Sequence, residues 1–198
     1  STIYQGANRY SLKNFFMNQI KFEIKNDNFF ARAYMTGEDA GDSYDMRFAG
    51  WNVNRAWKSD QQWFTNYATA FQLAGAVLGS TADQAAGIGR QYADYNQLPA
   101  GLQGLPQFAT APTGGPRFLP GTPEFDQALA TVIQNPDLTK GAKFQDNSKI
   151  YHADVNYNFK ELLKVAEIQV GGSIREYEMN SNGSIFTDYD GPISYNEY

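Results

Sequence analysis

The sequence contains no cysteine, and this absence excludes disulfide scaffolds, thiolate zinc sites and cysteine nucleophiles. It also lacks a long apolar run, because the longest, Leu73–Leu78, is far short of the ~20 residues that a membrane-spanning helix needs. Lysine and arginine are not clustered, and the net charge of -5 argues against a nucleic-acid partner. The mean hydropathy of -0.53 excludes a helical membrane protein, but it permits strands in which every second residue is apolar.

Proline is scarce at both ends of the chain and frequent in the middle. Seven of the eight prolines lie between residues 59 and 148, and the eighth is Pro192. Because proline cannot donate a hydrogen bond to a strand ladder, its absence from the flanks favours paired strands there. The sequence therefore predicts three parts: a hairpin over 1–58, a long loop or cap over 59–148, and a second hairpin with the start of the next external loop over 149–198.

Apolar and polar residues alternate along both predicted hairpins, as half-buried strands require. Alternation predicts four long antiparallel strands, at Tyr10–Lys25, Phe29–Trp51, Lys149–Phe159 and Val165–Met179. Asn26-Asp27-Asn28 and Lys160–Lys164 supply the short turns, whereas Ile193–Tyr198 lacks the alternation of a strand and is interpreted as loop. A strand of about ten residues can cross a bilayer.

Charge placement assigns the two faces of these strands. The face expected to contact lipid carries Ile20, Phe22, Ile24, Val155, Tyr157, Ile168 and Val170. The face expected to line a lumen carries Lys21, Glu23, Arg32, Asp154, Asn156, Gln169 and Arg175. The opposite parity would place ionised groups in hydrocarbon, which costs roughly 2–4 kcal/mol for an arginine at the bilayer midplane. The fold class predicted from these features is all-β, an antiparallel transmembrane β-barrel fragment of two hairpins with a long, partly helical extracellular loop.

The middle part contains its own helix signals. Ser59 can cap a helix from Asp60 to about Leu73, and Thr122-Pro123-Glu124 predicts a second helix start. A weaker helix pattern covers Thr81–Tyr95, and Pro99–Pro120 reads as extended and irregular. We therefore expect an ordered cap with two or three helices.

Several short segments resemble parts of TonB-dependent outer-membrane receptors of the Bacteroidetes type, which carry a carboxypeptidase-regulatory-like N-terminal domain. The segments are Gly171–Arg175 followed by Tyr177, Asn180–Phe186 with Asp188, Gly41–Tyr44 after the strand at Arg32–Tyr34, Pro120–Phe125, and Gly141–Phe144 with Asp146. They occur in the family's order and span most of residues 29–190. This resemblance identifies the chain as an internal fragment of such a receptor.

The resemblance implies a barrel of about 22 strands with a plugged lumen, which imports a scarce nutrient using energy relayed by TonB. It also implies the bacterial outer membrane as the location. The implied partners are outer-membrane lipid, the remaining strands and plug of the same receptor, the TonB system through those parts, and a surface lipoprotein lid. No plug, TonB box or closing set of strands is recognisable in the sequence, and four strands cannot close a barrel.

The candidate ligand-binding residues are aromatic side chains near the predicted junction of strand and loop: Trp51, Trp57, Trp63 and Tyr67. Membrane-interface aromatics explain them equally simply. His152 has no second metal ligand at a useful spacing, so we interpret it as a lumen-facing or solvated polar residue. The carboxylates at 38–45 and at 188–190 are interpreted as solvated loop residues, although the second group resembles part of a calcium loop. No catalytic constellation, metal site or cofactor motif is predicted.

Three functions remain open from the sequence. The first is part of an active nutrient transporter, and the second is a secreted soluble β-module that binds glycans through exposed aromatics. A surface enzyme domain is the third, and the missing catalytic residues disfavour it. The transported substrate is not readable, since one scaffold can serve many ligands.

Overall fold

The structure is a computed structural model that describes residues 2–5, 9–109, 117–160 and 166–198. Its strands are β1 (Thr2–Gln5), β2 (Arg9–Leu12), β3 (Phe16–Lys25), β4 (Phe29–Asp39), β5 (Tyr44–Asp45), β6 (Lys149–Asn158), β7 (Gln169–Met179) and β8 (Ile193–Glu197). Its α-helices are α1 (Met46–Trp57), α2 (Asp60–Leu78), α3 (Ala82–Tyr95) and α4 (Pro123–Val132). Single turns of 3-10 helix lie at Ala100–Leu102 and Pro106–Phe108.

The chain divides into two compact units. The sheet unit comprises Ser1–Arg47, Ile133–Leu138 and Ala142–Tyr198. The helical unit comprises Phe48–Val132 and Thr139–Gly141.

A five-stranded antiparallel sheet dominates the sheet unit. Its strand order is β3-β4-β6-β7-β8, so β4 pairs with β6 across the long excursion between them. Asn26 makes the β3–β4 turn, because its side-chain oxygen accepts hydrogen bonds from the backbone N–H groups of Asn28 and Phe29. Strands β1, β2 and β5 form a separate small sheet.

Register across the large sheet keeps apolar residues beside apolar residues. Phe22 pairs with Ala33, Ala33 with Ala153, and Ala153 with Ile174, which makes one continuous apolar row across four strands. The neighbouring row pairs Arg32 with Asp154 on the opposite face. Because side chains alternate between faces along each strand, the register places the apolar row on one face and the Arg32–Asp154 pair on the other. Lys149, Glu176 and Glu178 lie on the apolar face, towards the start of β6 and the end of β7.

Neither face of the large sheet is a buried core. Every residue of its five strands is at least partly exposed. The buried residues of the sheet unit lie instead in the connections beyond the strand ends: Ala40, Ser43, Asp45, Ala142, Asp146, Ser181 and Asp188. Three or more strands usually need a covered apolar face to be stable, so this sheet depends on a further surface.

The helical unit has a small apolar core of its own. Ala74, Ala85 and Leu102 are buried, and they come from α2, α3 and the first 3-10 turn. Partly buried hydrophobic residues surround them: Phe71, Leu73, Ile88, Leu98, Leu105 and Phe108. Small alanines at the centre let α2 and α3 approach closely, while the larger side chains close the margins.

Local capping explains where these helices begin and end. Ser59 accepts a hydrogen bond from the Gln62 backbone N–H, and Thr81 forms a reciprocal capping box with Gln84. Helix α2 ends at Gly79, whose φ of 63° is the left-handed conformation that glycine adopts without strain. The predicted helix starts at Ser59, Thr81 and Thr122 are confirmed, although α2 continues to Leu78 instead of stopping near Leu73.

The predicted all-β, transmembrane barrel-fragment fold is wrong. The described residues contain four α-helices and two separate sheets. Neither of these sheets closes into a barrel. The architecture is mixed, with antiparallel strands and helices in separate units.

The largest local difference from the sequence prediction is helix α1. The sequence predicts one strand over Phe29–Trp51, whereas the structure has strand β4, a turn, the short strand β5 and the start of α1 there. Strand β4 ends at Asp39, and Gly41 turns the chain with a φ of 55°. The Asp45 carboxylate then accepts a hydrogen bond from the Arg47 backbone N–H and starts the helix. Within α1 the buried residues are Ala49, Asn52 and Val53, which follow helical and not strand spacing.

Two other strand boundaries also differ from the prediction. Tyr10–Lys25 is interrupted between β2 and β3, where Asn14 adopts a φ of 53° and donates a hydrogen bond to Asp42. Ile193–Glu197 is a strand paired with β7 and not a loop. The described residues leave out most of the predicted turn at Lys160–Lys164, and they also leave out Val165, where a predicted strand starts. Residues 110–116 of the segment Pro99–Pro120 likewise lie outside the described residues.

In the described part of the chain, none of the helices combines the length and the apolar character needed to cross a membrane.

Candidate functional site

The apolar face of the large sheet is open to solvent. Two adjacent grooves of about 560 and 430 Å³ run along it. Ala33 and Ala153 line both grooves, and the larger side chains Phe22 and Ile174 also line both. Because alanine extends little above the sheet, the small residues form the floor and the large ones form the walls. The centre of this face can accommodate apolar groups, and Glu176 is among the residues that line the second groove.

A chain of polar contacts covers the opposite face. The Arg32 guanidinium donates two hydrogen bonds of 2.8 Å to the Asp154 carboxylate, in the bidentate geometry that makes such pairs strong. His152 lies 3.4 Å from the same carboxylate, and its ring is tilted by 32° against the Tyr34 ring at a centroid distance of 4.8 Å. Arg175 donates a hydrogen bond to the Nδ1 atom of His152 at 3.3 Å.

Arg175 continues this network to the edge strand β8. Its guanidinium donates to the Tyr177 hydroxyl at 3.0 Å and to Glu197 at 3.3 Å. The predicted lumen-facing residues Arg32, Asp154 and Arg175 are thus joined in a single polar network. Asn156 lies on the same face by its register with Phe30.

The helical unit contains a more enclosed feature, which we call the Trp57–Trp63 pocket. Its volume is about 230 Å³. Three aromatic and several charged side chains line it: Asn54, Trp57, Lys58, Asp60, Trp63, Phe64, Arg90, Asp94 and Arg117. They come from the end of α1, the turn after it, the start of α2, the end of α3 and, with Arg117, the chain before α4.

Asp94 is the structural centre of this pocket. Its carboxylate is buried, and it accepts a hydrogen bond of 2.9 Å from the Trp63 indole N–H. Arg90 approaches the carboxylate to 3.5 Å, and Arg117 approaches it to 3.7 Å. Arg117 also donates to the Asn54 side-chain oxygen at 3.2 Å. One buried anion therefore positions an indole and two guanidinium groups.

Lys58 connects the turn between α1 and α2 to the end of α3. Its ammonium donates to the Ala93 carbonyl at 2.7 Å and to the Asn96 side-chain oxygen at 3.1 Å, and it lies 4.4 Å from the centroid of the Trp57 ring. Burial lowers the pKa of Lys58 below its ordinary value, and the nearby Asp94 charge opposes this shift. A lysine at a helix C-terminus also satisfies a carbonyl that lacks an intrahelical donor.

Replacing Lys58 by methionine is expected to destabilise the helical unit by about 1–3 kcal/mol. Methionine keeps an apolar stem of similar length but leaves the buried Ala93 carbonyl without its ammonium donor. Urea unfolding followed by tryptophan fluorescence measures the change. Lys140→Met removes an exposed lysine from the same unit and should change stability by less than about 0.5 kcal/mol. Equal midpoints for the two variants would contradict the structural role of Lys58.

The structure brings together two of the four candidate ligand-binding residues. Trp57 and Trp63 both line the pocket. Tyr67 stacks on Trp63 with a centroid distance of 5.5 Å, so it supports the indole without being a lining residue. Trp51 is exposed and contacts Phe48 edge-to-face.

The sequence analysis missed the charged half of the pocket. Asp94 and Arg117 lie far along the chain from Trp63. The hydrogen bond between Trp63 and Asp94 forms only when α3 packs beside α2, and Arg117 then pairs with Asp94. The available local signal was the i,i+4 pair of Arg90 and Asp94 at the end of a predicted helix. It indicates a helical surface pair and carries no information about the tryptophan.

The interpretation of the carboxylate at Asp188 as solvated is also wrong. Asp188 is buried and accepts hydrogen bonds from the Ser181 hydroxyl at 2.6 Å, the Ser181 backbone N–H, the Asn182 N–H at 2.9 Å and the Gly183 N–H at 2.8 Å. Its lone pairs are therefore engaged by the protein, whereas Asp190 is exposed. Within the described ranges, no group of three or more His, Asp or Glu side chains is arranged to hold a metal ion.

Comparison with known proteins gave no further information on these sites, because no family model, curated protein or solved structure matched the chain.

Proposed function

We propose that this protein is part of a TonB-dependent outer-membrane transporter that takes up a nutrient. The observation that carries the proposal is the uncovered apolar face of the large sheet, and the sequence segments that resemble this receptor family give the class of transporter. The proposal concerns location and activity, and it retains the mixed fold described above.

The uncovered face is energetically unfavourable in water. Phe22 is 66% exposed and Val170 is 59% exposed, and both lie on strands that also expose other large apolar side chains. Burial of one such side chain is worth about 1.5–3 kcal/mol. A contiguous apolar surface of this kind marks contact with another protein or with lipid.

Two features favour lipid as the material against this face. Arg32 and Asp154, at the centre of the sheet, project from the opposite face and are paired with each other, while Glu176 and Glu178 lie towards the end of β7. The centre of the apolar face carries small and branched side chains that can contact flexible acyl chains without requiring a matching surface.

The proposal implies a set of partners. Outer-membrane lipid would contact the apolar face, and the remaining strands and plug of the same receptor would be further partners. The TonB system would act through those parts, and a surface lipoprotein lid would cover the external side. Neither a nucleic-acid partner nor an enzymatic activity belongs to this proposal.

Cell fractionation tests the location, and energised uptake tests the activity. The full-length protein should fractionate with outer-membrane lipid and require detergent to remain monodisperse. Uptake of its nutrient should cease when the TonB system is removed, while binding at the cell surface persists. Recovery of the protein as a detergent-free monomer in the medium, with retention on a glycan column, would replace this proposal with the secreted glycan-binding module.

A further inference from the structure

We infer that the Trp57–Trp63 pocket binds a small anion that carries a planar apolar ring, such as an aromatic carboxylate. The inference goes beyond the proposed transport function, because the geometry that supports it lies within the helical unit and does not depend on a membrane.

The charge of the pocket favours an anionic ligand. Lys58, Arg90 and Arg117 contribute three cations, and Asp94 contributes one buried anion. The other lining carboxylate, Asp60, is engaged by Arg55 through hydrogen bonds of 2.7 and 2.9 Å. Two positive charges therefore remain uncompensated by the acidic groups of the pocket. This excess is local, since the whole chain carries a net charge of -5.

The positive groups are held in place before any ligand arrives. Asp94 and Asn54 fix the Arg117 guanidinium, and Asp94 also approaches Arg90. Each contact occupies only part of a guanidinium, which has five N–H donors in a planar fork. The remaining donors can meet a carboxylate in bidentate geometry. Because the side chains are already ordered, binding loses less conformational entropy than at a mobile surface arginine.

The aromatic side chains favour a ring as the remainder of the ligand. The Trp63 indole is fixed by its hydrogen bond to Asp94 and by stacking against Tyr67. Phe64 contacts Trp63 edge-to-face and is 64% exposed, so it forms an apolar wall at the opening. A cavity of about 230 Å³ exceeds the ~150 Å³ that holds a benzene molecule. It therefore suits a single ring with a carboxylate better than an extended oligosaccharide.

Benzoate titration of the full chain tests the inference, with tryptophan fluorescence and the Trp63 indole N–H resonance as readouts. Benzamide has the same shape without the charge, acetate has the charge without the ring, and maltose represents a neutral sugar. We expect benzoate to bind at least roughly tenfold more tightly than benzamide, because benzamide lacks the charge, and at least roughly tenfold more tightly than acetate, because acetate lacks the ring. Maltose should not perturb either readout.

Variants separate the charge from the ring. Arg90→Gln should weaken benzoate binding roughly tenfold and leave benzamide unchanged, and the 71% exposure of the Arg90 side chain means that the fold tolerates the change. Phe64→Ser should weaken benzoate and benzamide alike. Lys25→Gln removes the same charge from an exposed position in β3 and should change neither affinity.

Equal affinities for benzoate and benzamide, or an unchanged benzoate affinity in Arg90→Gln with circular dichroism intact, would overturn the inference. Binding of maltose without benzoate would also overturn it and assign the pocket to a neutral sugar. Because these measurements use purified protein, their failure would leave the outer-membrane location standing. A failure of the location test would likewise leave the pocket standing.

Discussion

Replacement of Ile174 by arginine is expected to remove most of the protein from the membrane. Ile174 lies at the centre of β7, on the apolar face, and lines both grooves. If this face lies against hydrocarbon, an arginine there costs about 2–4 kcal/mol at the midplane. That free energy corresponds to a decrease of about thirtyfold or more in the assembly equilibrium. The measurement is the fraction of protein that stays in the membrane pellet after carbonate extraction.

Ser173→Arg is the matched control for this substitution. Ser173 precedes Ile174 in the same strand, and its side chain lies on the polar face, in register with Asp154. The new guanidinium would therefore lie on the polar face beside the Arg32–Asp154 pair and not against hydrocarbon, and assembly should be nearly unchanged. Equal pelleting of the two variants would mean that neither face contacts lipid, and the transporter proposal would lose its main support.

The faces of the strands were predictable from sequence, because alternation is a local property. Ile20, Phe22 and Ile24 share one side of β3 with Lys21 and Glu23 on the other, and no distant residue is needed to establish that. The same holds for capped helices, since a serine or threonine and the three residues after it contain the whole signal. These elements are predicted by short windows of sequence.

The strand-to-helix change at Met46 was not predictable in this way. Alternation of apolar residues continues through Met46 and Phe48, so a short window favours a longer strand. The chain is turned instead by contacts with distant residues: Lys13 donates to the Ser43 hydroxyl, and Asp45 donates its N–H to the Ala142 carbonyl. Tertiary contacts therefore determine that Met46–Trp57 is a helix and not a strand, and this helix is one reason why the fold class is mixed.

The candidate site also combines residues that were predictable from local sequence with residues that were not. Aromatic residues near the break between α1 and α2 were visible in the sequence, and two of them line the pocket. Their polar partners were not visible, because Asp94 reaches Trp63 only after α2 and α3 have packed together. Whether a tryptophan is a surface anchor or part of a pocket is determined by these distant residues.

Asp188 gives the second large expected effect, because one carboxylate holds the whole connection between β7 and β8. It accepts hydrogen bonds from three successive backbone N–H groups and one hydroxyl. The Ser181 hydroxyl in turn accepts from the backbone N–H groups of Ile185 and Phe186. Burial alone would raise the pKa of Asp188, but the hydrogen bonds from Ser181 and Gly183 outweigh it and hold the pKa far below its ordinary value.

Asp188→Asn is therefore expected to lower the thermal midpoint by roughly 5 °C or more and to unprotect the amides of Ser181–Gly183 from hydrogen exchange. The asparagine amide would place an N–H₂ group against N–H donors. Asp190→Asn, two residues further on at an exposed position, should leave the midpoint and the exchange unchanged. Comparable effects of the two substitutions would contradict a specific role for the buried carboxylate.

Acid should reduce the difference in stability between wild type and Asp188→Asn. The folded-state pKa of Asp188 is depressed, so the unfolded chain takes up the proton first as the pH falls. The stability contributed by the carboxylate is thus complete above about pH 5 and declines through the unfolded value of about 3.9 towards the much lower folded value. Thermal midpoints of both proteins between about pH 7 and pH 2 should converge on the acid side. A constant difference across this range would show that the loop is held by the shape of the side chain and not by its negative charge.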